Sequence, residues 1–221
     1  GRSGNRGACA QPCRWQYTVT ELKRPDEPMR VYEDERGTSL FSAPDLNMIG
    51  YLPQMERAGI SCVKIEGRMK KAYYTAVVTG AYRHALDALQ RGEQAYLHAL
   101  PGLQNELRTA SHRAWSTGFY FGTPQPAGGA DGLMQTMECC GLVLNDTSEG
   151  LLVEVKNHFE PGDKMDVLTP DGAHQVDVKS IRDEQSGLEL TKATVAGRPV
   201  LLPGVHGGAS GDFLRGPNRN H

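Results

Sequence analysis

Two cysteines stand four positions apart near the start of the chain, in "GRSGNRGACAQPCRW" (residues 1–15), among three arginines. Metal and iron–sulfur sites gather several soft thiolates, and a close pair is a common half-site. Cys9 and Cys13 alone cannot complete a site of four ligands. Arg2, Arg6 and Arg14 favour the thiolate form, which suits a cluster or a reactive thiol. The competing reading is a pair of packed or idle thiols.

A second constellation is "KIEGRMKK" (64–71). The preceding "SCVKI" (61–65) reads as a buried strand, so Lys64, Glu66 and Arg68 fall at its C-terminal end, ahead of a helix. Sites of parallel α/β folds are built at that edge. Arg68 and Lys64 suit a carboxylate or phosphate. Glu66 can orient Arg68 or act as a base. The competing reading is an exposed charged turn. A third run, "SHRAWSTGFYFG" (111–122), mixes aromatic and basic side chains. Such a run either stacks on nucleobases or packs a linker onto its domain, and packing is the expectation.

The remaining cysteines read as core. Cys62 lies among apolar neighbours, and Cys139 and Cys140 are adjacent on a strand and therefore face opposite ways. His84, His98, His158, His174, His206 and His221 show no ligand spacing. No G-x-S-x-G elbow, H-E-x-x-H or P-loop is present.

Several elements must position these residues. "RWQYTVTEL" (14–22) reads as a strand that "KRPDEP" (23–28) breaks. Residues 31–43 read as two extended pieces around Arg36-Gly37. A helix is expected over 42–60, with Ser42 as cap, Pro44 and Asp45 in its first turn, a restart at Pro53 and Gly59 at its end. The clearest helix is 73–92, with Tyr74, Val77, Val78, Ala81, Ala85, Leu86 and Leu89 on one face. Residues 93–113 read as helical. Gly/Pro-rich 116–132 reads as a linker. From residue 140, short apolar segments separated by turn signals predict a small antiparallel barrel or sandwich.

The 221 residues carry 24 basic and 26 acidic side chains, so no whole-chain basic field marks a dedicated nucleic-acid coat. No apolar run reaches the roughly 18–20 residues of a membrane span. Five cysteines, an odd number, suit a reducing compartment, and the cytoplasm is the expected location.

The segments "SGNRGACAQPCRW", "SLFSAPDLNMIGYLPQMERAGISCVKIEGRMKKAYYTAVVTGAYRHALD" and "SHRAWSTGFYFG", in this order, resemble the collagenase-like peptidase family, peptidase family U32. The resemblance covers residues 1–122 closely, and the β-rich tail resembles the family's C-terminal barrel. It implies the C-terminal part of a TIM-like α/β barrel followed by a small antiparallel β-barrel. The expected domains are a barrel remnant at 1–115, a linker at 116–137 and a β-barrel at 138–217. It also implies that the chain opens inside the family's signature region, with further family cysteines upstream.

The resemblance is strongest to the branch that hydroxylates tRNA uridines at position 5 without oxygen. That branch implies an iron–sulfur (4Fe-4S) cluster, prephenate as co-substrate and tRNA as partner, with neither DNA nor membrane. Cys9 matches a cluster cysteine, and Cys13 matches a cysteine that serves as ligand in some branches. A further family cysteine falls at Asn47, where this chain departs. On this reading Lys64, Glu66 and Arg68 are the catalytic candidates of the full-length enzyme, and the isolated chain is inactive. The alternatives are a collagenase-like peptidase acting on peptides, and a non-catalytic interaction fragment.

Overall fold

The structure, a computed structural model, describes residues 17–30, 32–34, 37–39, 44–122 and 133–219. The chain divides into two compact units, Gly1–Leu46 with Arg113–Leu133, and Asn47–His112 with Met134–His221. Cys9 and Cys13, and the N-terminal arginines around them, lie outside the described residues.

In the first unit, β1 (Thr18–Glu21) pairs antiparallel with β2 (Arg24–Arg30). The expected break at 23–28 is therefore confined to a turn at Leu22-Lys23. The strand resumes through Pro25 and Pro28, since a two-stranded ribbon consists of edges, where a missing N–H is tolerated. Strands β3 (Tyr32–Asp34) and β4 (Gly37–Ser39) form the two extended pieces expected around Arg36-Gly37. Strand β5 (Asp45–Leu46) runs parallel to β6 (Trp115–Ser116).

The expected helix over 42–60 is much shorter. Asp45 serves the β5–β6 pair, a 3-10 turn covers Ile49–Tyr51, and α1 spans Leu52–Arg57. Asn47 Oδ1 accepts a hydrogen bond from the Ile49 N–H (3.1 Å) where the chain enters this turn. Gly59, at φ 81°, ends α1 as expected. The Ile60 N–H donates to Met55 O and the Gly59 N–H to Glu56 O, the Schellman arrangement that only a left-handed residue permits at low cost.

Helices α2 (Ala72–Gln90) and α3 (Glu93–Arg108) form a hairpin turned at Gly92, whose φ is 118°. Helix α2 buries Tyr73, Val77, Val78, Ala81, Ala85 and Ala88, so the apolar face is rotated slightly from the expected one. Tyr73 replaces Tyr74 because it reaches the β-sheet, where its ring meets Phe213 edge-on (centroids 5.9 Å).

The strands are β7 (Met137–Asp146), β8 (Gly150–Val155), β9 (Lys164–Thr169), β10 (Gly172–Asp177), β11 (Ile181–Asp183), β12 (Glu189–Leu190), β13 (Pro199–Pro203) and β14 (Phe213–Pro217). They make one antiparallel sheet in the order β10-β9-β14-β7-β8-β13-β11-β12. Its end strands β10 and β12 are not paired with each other among the described residues. The expected small barrel is thus an eight-stranded antiparallel sheet, and the molecule is a mixed α/β protein with few helices. The expected C-terminal part of a TIM-like barrel at 1–115 is not evident among the described elements.

Alternation along the strands places Val143, Leu151, Val153, Val155, Met165, Val167, Val200, Leu202 and Leu214 in one buried cluster. Gly150 is required there: a Cβ at this position would lie 2.1 Å from Leu202 O, and its φ is 149°. The opposite face, at β7, β9 and β14, receives the helices through Tyr73, Val77, Ala110 and Leu168.

Candidate functional site

The segment 61–71 departs most from expectation. Residues 61–66 form neither helix nor strand ladder, and the segment is largely exposed. A strand needs a neighbour for its N–H and C=O groups, and among the described residues no strand lies beside it. Cys62 is exposed rather than core. The strand-end edge that would have presented Lys64, Glu66 and Arg68 is therefore replaced by an exposed loop leading into α2.

Within this loop Lys64 Nζ lies 3.4 Å from Glu66 Oε2, with both side chains mostly exposed. Arg68 and Lys71 have no ion-pair or hydrogen-bond partner among the described residues, and Lys71 precedes α2 without a side-chain cap. Lys70 turns inward instead. Its ammonium donates to Ser111 O (2.7 Å) and stands 5.0 Å from the Tyr74 ring centroid. The loop is thus tethered by Lys70 and displays Lys64, Arg68 and Lys71. Exposed cations on such a loop can hold a carboxylate or phosphate by charge.

The run at 111–122 divides. His112 is buried and exchanges backbone hydrogen bonds with Met134. Arg113 donates from its N–H and Nε to the two oxygens of Asp45 (3.0 and 3.1 Å), which anchors β6 to β5. Phe119, Tyr120 and Phe121, expected to pack, are 80%, 62% and 64% exposed. They stand on a tight turn, in which no three consecutive side chains share one buried face.

Residue types and spacing did not reveal the most connected polar group. Arg215, on β14 and 4% exposed, grips both oxygens of Glu106 on α3. It also reaches Asp166 on β9 (3.2 Å) and Thr109 Oγ1 (3.1 Å). The Tyr73 hydroxyl donates to Thr109 (3.3 Å), and burial pushes its pKa up. No buried side-chain nitrogen or oxygen is left without a partner among the described residues. Arg215 is buried while Glu106 and Asp166 stay partly exposed, and the knot reads as the clamp between helices and sheet. A signal for it was absent because Glu106 and Arg215 are 109 residues apart.

The cysteines sort by environment. Cys139 faces the helices and Cys140 the sheet core, opposite faces as expected. Burial pushes their thiols up to about 11 and about 12. Both are therefore protonated near neutrality and poor metal ligands. Among the described residues no three His, Cys, Asp or Glu side chains gather as a metal site. Among the same residues, no helix is long and apolar enough to cross a membrane.

Comparison with known proteins assigns the chain. The sequence model of peptidase family U32 matches residues 1–129, and that of the family's C-terminal domain matches 135–215. The tRNA hydroxylation protein P1 of Bacillus subtilis is 31% identical over 77% of this chain and 41% of its own length. The tRNA hydroxylation protein P of Escherichia coli is 28% identical over 77% and 47%. A Porphyromonas gingivalis collagenase is 34% identical over 54% and 28%. A solved C-terminal domain of a Geobacillus thermoleovorans U32 protein is 30% identical, with a TM-score of 0.34 over 37% of this chain and 93% of that one. The chain spans less than half the length of these full-length relatives. With both parts matched in order along one polypeptide, the chain belongs to peptidase family U32.

Proposed function

We propose that this chain is part of a protein that hydroxylates a tRNA uridine at position 5. One observation carries the reading. The tRNA hydroxylation proteins of B. subtilis and E. coli match 77% of the chain. Residues 1–129 are under three-fifths of its 221 residues, so these matches extend into the C-terminal domain. The collagenase match spans 120 residues, 54% of the chain.

On this reading Cys9 and Cys13 contribute thiolates to an iron–sulfur cluster, completed by ligands from elsewhere in the full-length protein. The donor set fits: thiolates beside arginines are held in the charged form that iron requires. When bound, such a cluster supplies one-electron chemistry. Lys64 and Arg68 hold the carboxylate of an anionic co-substrate or an RNA phosphate. Glu66 orients Lys64, its partner at 3.4 Å.

The test is made on the intact gene. Its deletion removes 5-hydroxyuridine from the cell's tRNA, read by mass spectrometry of digested nucleosides. The wild-type gene restores it and the Cys9→Ala gene does not. Unchanged tRNA after deletion overturns the reading. Cleavage of gelatin by the purified protein, lost in Glu66→Gln, would install the peptidase reading in its place.

A further inference from the structure

The turn at 117–120 exposes its rings on a backbone that is pinned. The Tyr120 N–H donates to Thr117 O (3.3 Å), and the Gly118 N–H donates to Ser116 Oγ (3.2 Å). Gly118 has a φ of 57°, and a Cβ there would lie 3.3 Å from Leu46 Cδ1. Beneath the turn, β6 is tied to β5 by the Arg113–Asp45 contacts. Phe119 and Tyr120 therefore stand in water by construction rather than by fraying. Adjacent exposed rings held on a pinned turn form an apolar surface available to a ligand.

The shape of the surface narrows the ligand. A protein partner needs on the order of 800 Å² from each side, whereas this is a short turn flanked by Gly118 and Gly122, which add no side-chain wall. Two adjacent exposed rings instead match flat ligands that stack on a ring face. Charge narrows it further. Residues 134–221 hold 13 acidic and 8 basic side chains, whereas residues 1–133 hold 16 basic and 13 acidic. A polyanion is repelled by the former and tolerated by the latter.

We propose that Phe119 and Tyr120 are a stacking platform for unpaired bases of the RNA substrate, and that the C-terminal sheet is not the main RNA-contacting face. The inference rests on the tRNA reading above. It adds the residues that hold the nucleic acid and the form they hold, single-stranded loop nucleotides rather than duplex.

The experiment uses the full-length protein and tRNA transcript, with binding followed across a salt series. Phe119→Ala and Tyr120→Ala each weaken binding by about tenfold, and together by more, as loss of a base stack should. The slope of affinity against salt stays unchanged, because stacking releases no counterions. Tyr120→Phe binds as wild type. Ultraviolet irradiation of the wild-type complex attaches RNA to the peptide holding these rings.

Wild-type affinity in the double alanine variant overturns the proposal. So does a lowered melting temperature with no crosslink, which would mean that the rings pack against protein. In either case, continued 5-hydroxyuridine formation by the double variant leaves the tRNA reading standing. Failure of the wild-type protein to bind tRNA at all removes both.

Discussion

The strands of the sheet at 137–217 and the stretch at 61–65, which opens the loop, share apolar, β-branched character and have opposite fates. The sheet finds every partner it needs within its own unit: strands on both sides of β7, β8, β9, β11, β13 and β14, and one core beneath. The loop holds Cys62, Val63 and Ile65 in strand-like sequence, yet no strand lies beside it among the described residues. Residue preference supplies a tendency of under about 1 kcal/mol per position. The ladder and the buried face supply the rest. The candidate site residues Lys64, Glu66 and Arg68 sit on the loop, while Arg215 and Asp183 of the sheet hold its architecture.

The hardest way to break this contrast is to remove the clamp. Arg215→Ala leaves the partly exposed carboxylates of Glu106 and Asp166 without their buried cation. A loss of about 3–5 kcal/mol is expected, read as a large drop in the urea midpoint. Arg215→Met combined with Glu106→Leu should recover part of it, since an apolar pair needs no countercharge. A wild-type midpoint for Arg215→Ala would show that the helices and sheet do not depend on the knot.

A smaller effect separates the regions by pH. Hydrogen bonds from Arg198 and then Ser186 hold the Asp183 carboxyl well below the usual carboxylate range. Its folded pKa is depressed, so its stabilisation is complete above the unfolded value of about 3.9 and is lost as pH falls below it. Asp183→Asn should lower the melting temperature at pH 7 and flatten the loss of stability below pH 4. An unaltered acid limb would remove Asp183 from the account of the sheet.

The mildest probe leaves the protein intact. Brief alkylation at pH 8, mapped by peptide mass spectrometry, should modify Cys62 and spare Cys139 and Cys140, whose thiols are buried and protonated. Protection of Cys62 would mean that the loop is covered in the full-length protein, which would sharpen the contrast into a difference of partners.

How much of this was legible depended on range. Gly59 and Gly92 mark helix ends through local backbone geometry, and both are readable from residue type alone. The face of α2 was legible to within a residue, since its period is intrinsic. The opposed faces of Cys139 and Cys140 follow from the pleat. Asp45 misled because an acidic residue after proline suits a helix start equally well, and only Arg113, 68 residues on, decides otherwise. The Arg215 clamp and the Asp146–His206 contact (2.7 Å, 60 residues apart) have no local signature. For the candidate site, the residue types at 64–71 were legible and their setting was not. The exposure of Phe119 and Tyr120 reversed the expected packing, because a pinned turn outweighed the usual tendency of rings to bury.

The clamp also imposes an order on synthesis. Glu106 leaves the ribosome 109 residues ahead of Arg215. For that interval α3 carries a carboxylate whose buried partner does not yet exist, and Tyr73 lacks Phe213. The helical hairpin can form early from local contacts, but it cannot seat until the last strand of the sheet has been made. Translation of β14 thus locks elements made much earlier. A ribosome that stops before the Arg215 codon releases a chain with helices formed and their sheet-facing side still open to chaperones and proteases.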